Sequence, residues 1–364
     1  MQTEYDPVYH PFHLDHIERL TDDTGIMQHA TFSVPDPRHG YSIDDQARAL
    51  MVVLAHANVA RPTHAPKAAY TYTAYLQYAA TQAGWFHNFL SFGRAWLDER
   101  GSDDCYGRAM WALGYAQRFG VERGLTGAAA ELFSAQARQL ESLTWPRSQA
   151  FALFGLYHRL QVESSAYLLG TVHVLANQLA DRFDAASSPD WLWFEDTLTY
   201  CNAKLPAALL LAFELTGNAR YLKIGTTALR WLSGVVFEAD GELRLVGQDG
   251  WYPRGGTKAA FDEQCVDAQG IVEAAIIAER VTGDSQWRQR AVAAFDWFLG
   301  RNVHRVSLVD PETWGCYDGI TRTHVNNNMG AESTLCYLLA YLALVEVGAL
   351  TLEGAVPQPT PAAT

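Results

Sequence analysis

Four segments of this chain are apolar all the way round a helix and rich in small residues. They are Ala-Leu-Met-Val-Val-Leu-Ala at 49–55, Met-Trp-Ala-Leu-Gly-Tyr-Ala at 110–116, Pro-Ala-Ala-Leu-Leu-Leu-Ala at 206–212 and Tyr-Leu-Leu-Ala-Tyr-Leu-Ala at 337–343. A helix without a polar face has to be covered on every side. The helical stretches that alternate with them carry Arg, Gln, Asp and Glu, as an amphipathic outer layer does. Periodicity and stop signals give about twelve helices and almost no strands. The one strand-like segment, 85–97, alternates polar and apolar residues and suggests a short hairpin. Trp145-Pro146-Arg147-Ser148 reads as a break between helices. Tight turns such as Thr216-Gly217-Asn218 and Thr282-Gly283-Asp284 lead into the amphipathic helices, whereas long loops lead into the apolar ones. An all-α fold of six hairpins, an (α/α)6 toroid with an inner and an outer ring, satisfies this order. Its long loops then lie over one end. Residues 1–353 read as one such domain, and 354–364, with Pro357, Pro359 and Pro361, as a disordered tail.

Acids recur at the loop-to-helix junctions. Gly40-Tyr-Ser-Ile-Asp44-Asp45-Gln46-Ala-Arg48 is echoed by Ser102-Asp103-Asp104-Cys105-Tyr-Gly-Arg108. Weaker echoes are Glu195-Asp196, Asp262-Glu263-Gln264 and Gly330-Ala-Glu332. Recurrence at a coarse period is the mark of a repeat architecture. Each acid taken singly has a structural explanation. Asp44 can cap its helix and Asp45 then sits in the first turn, where the dipole favours negative charge. Glu332 can cap in the same way. Asp45 and Arg48 (i, i+3) and Asp104 and Arg108 (i, i+4) have helix salt-bridge spacing, worth about 0.2–0.5 kcal/mol when exposed. Capping does not explain why the same loops also hold Trp193, Tyr200, Asn202, Trp251, Tyr317, His324, Asn326 and Asn328. Acids, aromatics and amides gathered over one end of a toroid make a cleft suited to sugars, because Asn bonds hydroxyls as donor and acceptor.

Composition narrows the partners. A net charge of −13 argues against nucleic acid or an anionic membrane surface. No apolar run reaches spanning length, and the first residues are polar and acidic, so a cytoplasmic location is expected. Five widely spaced Cys without a Cys-x-x-Cys pair suit free thiols in a reducing compartment. Cys105, Cys201 and Cys265 fall near inner-helix starts, but their spacing carries no zinc signature. His13 and His16 (i, i+3) read as helix surface. With no phosphate-cradling Gly loop, nucleophile elbow or His-Glu-x-x-His, neither metal nor cofactor is expected. Lys204 either holds an anion or neutralises nearby acids. Arg254 and Lys258, beside Gly255-Gly256, can likewise hold a phosphate.

The helix order and the motifs Gly-Tyr-Ser-Ile-Asp-Asp-Gln-Ala-Arg-Ala-Leu, Asp-Asp-Cys-Tyr-Gly-Arg-Ala-Met-Trp-Ala-Leu-Gly and Asn-Asn-Asn-Met-Gly-Ala-Glu-Ser-Thr-Leu resemble a known group. It is a bacterial branch of the six-hairpin glycosidase superfamily, found alone or fused behind glycosyltransferases and near mannoside phosphorylases. The resemblance spans roughly residues 10–348. It implies the toroid and a carbohydrate ligand, with functional association with a glycosyltransferase or mannoside phosphorylase. The sugar 2-epimerases share the toroid but lean on His pairs where this chain has acids.

Hydrolysis of a glycosidic bond needs a carboxylic acid to protonate the leaving oxygen and a carboxylate to act as base or nucleophile. Six-hairpin enzymes mostly invert, which places that pair roughly 6.5–9.5 Å apart. The candidates are Asp45, Asp104, Glu195, Asp196, Glu263 and Glu332. Glu195 and Asp196, between Trp193 and Tyr200, have the apolar flanks that raise a carboxyl pKa. Substrate contacts are expected from Asp44, Arg48, Asp103, Arg108, Trp193, Tyr200, Asn202, Lys204, Trp251, Gln264, Tyr317, His324, Asn326 and Asn328. The expected function is hydrolysis of a short oligosaccharide such as a mannoside. The alternatives are epimerisation or isomerisation, phosphorolysis, and non-catalytic sugar binding beside a glycosyltransferase.

Overall fold

The computed structural model describes residues 7–355. Among them are twelve α-helices: α1 (Asp15–Leu20), α2 (Ile43–Ala60), α3 (Lys67–Ala79), α4 (Asp103–Phe119), α5 (Arg123–Gln136), α6 (Pro146–Val162), α7 (Ala166–Ala186), α8 (Lys204–Thr216), α9 (Ala219–Val236), α10 (Cys265–Thr282), α11 (Gln286–Asp296) and α12 (Ala331–Glu346). The even-numbered helices pack in a closed ring: α2 on α4, α4 on α6, α6 on α8, α8 on α10, α10 on α12, and α12 back on α2. Each outer helix packs on the inner helix before it, α3 on α2 through α11 on α10, and α1 closes the set against α12. This is the (α/α)6 toroid. Ala, Leu and Val fill the inner ring because its helices meet neighbours on both sides and an outer helix behind.

Helices α4 and α6 approach each other backbone to backbone. A Cβ at Gly114 would stand 2.2 Å from the carbonyl oxygen of Gly155, and one at Gly155 would stand 2.5 Å from that of Met110. Backbone meets backbone there, with no side chain able to yield. Gly114→Ala is therefore expected to cost about 3 kcal/mol or more. On α7, a Cβ at Gly170 meets nothing within 4 Å, so Gly170→Ala should instead gain up to about 1 kcal/mol from helix propensity. Urea midpoints of the two variants, moving in opposite directions, check both statements.

The long loops are stapled by two-residue antiparallel ribbons, which give their backbone groups partners. β1 (Ala30–Thr31) pairs with β2 (Val34–Pro35), and β3 (Tyr41–Ser42) with β4 (Phe89–Leu90). β5 (Thr197–Leu198) pairs with β6 (Tyr252–Pro253), and β7 (Glu263–Gln264) with β8 (Gly319–Ile320). The last three ribbons each join the loops that enter two neighbouring inner helices.

Several boundaries differ from the sequence expectation. Residues 85–97 do fold back on themselves, the Leu90–Trp96 antiparallel bridge being flanked by Ser91 N–H to the Ala95 carbonyl and Leu97 N–H to the Phe89 carbonyl, each at 2.9 Å, but the strand of that segment, β4, also pairs with β3. The break between helices falls at 143–145, and Pro146, Arg147 and Ser148 already belong to α6: Pro146 occupies its first position, where its missing N–H costs nothing. The acids Asp262 and Glu263 precede α10 rather than open it. The tail expectation falls mostly on 356–364, outside the described residues. Gly354 and Ala355 close a turn on Thr351, at 3.1 and 3.2 Å. No described helix is long and apolar enough to cross a membrane.

Candidate active site

The acids at the starts of α2, α4 and α12 are not spent on capping. Ser42 caps α2, its Oγ accepting the Asp45 N–H at 3.2 Å, and Ser102 caps α4 through the Cys105 N–H at 3.1 Å. The cap position of α12 is Gly330, with no side-chain bond. Asp44 is thus not the cap that its position suggests. The two serines leave Asp44, Asp45 and Asp104, and the glycine cap leaves Glu332, to face a cavity of about 440 Å³.

Arg48, Arg108, Tyr200, Trp251 and Gln264 line the same cavity. Arg48, whose side chain is 4% exposed, places Nη1 3.2 Å from Asp45 Oδ1 and donates from Nη2 to Glu332 Oε2 at 2.6 Å. The i, i+3 pair therefore forms, but it also reaches across to α12. The i, i+4 pair does not form. Arg108 instead has Nε 3.2 Å from Asp44 Oδ1, and its guanidinium lies 4.1 Å over the Phe151 ring. Asp104 accepts the hydroxyl of Tyr200. Two buried arginines thus stitch α12, α2 and α4 together at their N-terminal ends.

These contacts drive the carboxyls apart. Burial pushes Glu332 up, but Arg48 and Arg108 more than offset it and hold it below its ordinary value. Burial raises Asp44, and the same arginines only partly offset that. Asp44 Oδ1 is buried without a hydrogen-bond partner, Arg108 Nε lying near but out of line. Burial carries Asp45 to about 7 despite Arg48. Asp318 reaches about 6, by burial first and then by the charge of Glu332.

Asp318, Gln28, His29, Ser42, Phe89, Gln248 and Val266 complete the lining and were not singled out from the sequence. The long loop at 21–42 supplies Gln28 and His29 and carries the capping Ser42. Asn328 Oδ1 accepts the Ala30 N–H at 2.9 Å, so its Nδ2 donates to His29 Nδ1, also at 2.9 Å. That leaves His29 Nε2 as the nitrogen carrying the proton of the neutral ring, and burial lowers the pKa of His29. Trp251 and the Cys201 that follows Tyr200 both hold left-handed backbone, φ 56° and 48°. Such strain in non-glycine residues collects at functional sites.

The other sequence candidates lie outside the cavity. Glu195 pairs with Arg147 at 2.7 Å, and Asp196, largely exposed, stands 3.5 Å from Arg254. Trp193 is fully buried against Trp231. Glu263, 1% exposed, accepts from Trp297 Nε1 at 2.7 Å and from the Leu245 N–H at 3.0 Å. Burial lifts it to about 7. Asp103 pairs with Arg100 at 2.6 Å. Asn202 bonds Thr199 and Arg147. Lys204 neutralises Glu273 and sits 4.7 Å from the Trp111 ring centre. Asn326 donates to Asp318 at 3.3 Å, behind the lining, and His324 bonds Thr321 and Thr323. Tyr317 is also outside the lining. Lys258 donates to the carbonyls of Val235 and Arg244. His16 is buried on the Met329 carbonyl at 2.7 Å rather than on the surface. Cys105 and Cys201 lie apart from Cys265, whose Sγ is 3.7 Å from that of Cys316.

No family model matches the chain, and no curated protein does. Solved structures do. A D-mannose isomerase superposes with a TM-score of 0.70 at 14% identity, over 91% of this chain and 94% of the other. The cellobiose 2-epimerase of Bacillus thermoamylovorans B4167 gives 0.69 at 12%, over 90% and 95%. A GH76 alpha-mannanase of Bacteroides thetaiotaomicron gives 0.62 at 11%, over 84% and 87%. At such identities the likeness is one of fold, and the fold is the six-hairpin toroid expected from the sequence.

Proposed function

We propose that the chain is a glycoside hydrolase for a short, uncharged oligosaccharide, working by carboxylate acid/base catalysis with inversion. The observation that carries this reading is the pair Glu332 and Asp44. They face one cavity, and their surroundings push their pKa values in opposite directions, which is how acid and base roles are assigned to two carboxyls. Asp44 protonates the glycosidic oxygen as its bond to the anomeric carbon breaks. Glu332 takes a proton from the water that attacks that carbon on the opposite face. Asp104 and Gln264 bond ring hydroxyls, while Tyr200, Trp251 and Phe89 supply apolar faces. The cavity volume suits a small ligand. The phosphorolytic alternative loses support, because Lys204, Arg254 and Lys258 are all committed outside the cavity.

A bell-shaped pH profile of kcat/KM follows. The acid limb marks protonation of Glu332, below the ordinary glutamate value. The alkaline limb marks loss of the Asp44 proton, above the ordinary aspartate value because burial holds it there. A rate that climbs steadily with pH would contradict the assignment.

A second reading, isomerisation or 2-epimerisation of a reducing sugar, is favoured by His29. Its neutral ring offers an N–H to a sugar carbonyl oxygen, and the mannose isomerase and cellobiose epimerase share the fold. Incubation with manno- and gluco-oligosaccharides, with and without phosphate, separates the readings. Free monosaccharide in both buffers is the expected result. A sugar of unchanged mass would transfer the function to the second reading. Ligand-dependent thermal stabilisation without turnover would favour a binding partner of a glycosyltransferase.

A further inference from the structure

We infer that Arg147 is a positioning residue for the Tyr200–Asp104 pair, acting from behind the cavity wall; this rests on Asp104 serving the sugar site proposed above. Arg147 does not line the cavity. It is the second residue of α6 and is 5% exposed. Its Nε donates to the Tyr200 carbonyl at 2.5 Å, Nη1 to Glu195 at 2.7 Å and Nη2 to Asn202 Oδ1 at 3.3 Å. The guanidinium carbon also stands 4.8 Å over the centre of the Tyr200 ring. Main chain and ring of one tyrosine are thus gripped by one rigid planar group, a task that lysine's single ammonium does not match.

The grip extends along the loop. Asn202, held by Arg147, donates from Nδ2 to the Thr199 carbonyl at 2.6 Å and accepts the Thr199 N–H at 3.1 Å. Between these two anchors Cys201 holds φ 48°, a left-handed conformation that an L-residue keeps only when its surroundings impose it. The Tyr200 ring leaves this bend and gives its hydroxyl to Asp104 across the cavity wall. Glu195 and Asn202, sequence candidates that do not reach the cavity, find their use here: they orient Arg147, which orients Tyr200, which holds the Asp104 carboxylate.

Crystal structures of the wild type, Arg147→Met and Arg147→Lys test this without any substrate. Loss of the Tyr200–Asp104 hydrogen bond in both variants, with the inner ring in place, is expected. If the bond survives in either folded variant, the proposal is overturned. Turnover adds a second test, with mannobiose as probe and its disappearance as readout, whatever the product. Arg147→Met should lower kcat by about 10–100-fold with little change in KM, since misplacement by about 1 Å costs on that order. The Arg147→Met/Tyr200→Phe double variant should be no slower than Tyr200→Phe alone. Additive losses would mean that Arg147 does not act through Tyr200. Product mass decides hydrolysis separately, so failure of the hydrolase reading leaves this cycle readable. Should mannobiose not be consumed, the structures alone decide.

Discussion

Replacing Glu332 by glutamine is expected to lower turnover by about 10²–10⁴-fold, the range of a lost general base, while the protein stays folded. The variant keeps the side-chain shape, and its amide oxygen can still accept from Arg48 Nη2, now 2.6 Å from Oε2. Arg48 also keeps Asp45 at 3.2 Å, so its buried charge retains a counter-ion. Removing the negative charge has a second consequence. Glu332 contributes to the raised values of both Asp44 and Asp318, so both should release their protons at lower pH in the variant. The alkaline limb of any residual rate should move down the pH scale. Full activity in Glu332→Gln would remove the base from the proposed mechanism.

The largest stability effect is expected at the ion pair between Lys204 of α8 and Glu273 of α10. The lysine side chain is 1% exposed, whereas the glutamate is 22% exposed. Removing either partner leaves the other uncompensated, but not equally. Glu273→Leu strands an ammonium against the rings of Trp111 and Phe154 and should cost about 3–5 kcal/mol. Lys204→Met strands a carboxylate that still meets water and the Gln269 amide at 3.2 Å, so its cost should be smaller. Because desolvation offsets most of the attraction inside such a pair, the double variant Lys204→Met/Glu273→Leu should lie within about 1 kcal/mol of the wild type or above it. Three urea titrations check this order. Equal costs for the singles, or a double as unstable as their sum, would show that the pair is not the coupled unit described.

The toroid was legible because burial on every side is written into short stretches of sequence. Any helix reading Ala-Leu-Met-Val-Val-Leu-Ala needs neighbours all round, and alternation with amphipathic helices leaves few arrangements. The site was legible only in outline. The motifs at 40–50 and 102–110 marked the correct helix ends, yet serine, not aspartate, turned out to be the cap. The partners of Arg48 and Arg108 depend on how closely α12, α2 and α4 approach, which no local pattern carries. Glu263 and Gln264 show the difficulty at its smallest scale. They are neighbours in a strand, so their side chains point to opposite faces. The glutamine faces the cavity and the glutamate faces Trp297 in the core. A reading by residue type chose both, and the register of β7 and β8 separates them.

Ring closure also bears on how the protein forms. Five of the six contacts around the inner ring join helices separated by a single outer helix, so each closes only a short stretch of chain. The sixth, α12 on α2, joins segments nearly a whole chain apart and bears the largest loop-closure entropy. The Arg48–Glu332 pair lies on that seam. A growing chain that has made five inner helices already has Asp44, Asp45 and Asp104 in place but has no Glu332. The acid wall of the cavity is completed only by the last helix to arrive, so a nascent or truncated ring holds an unfinished site.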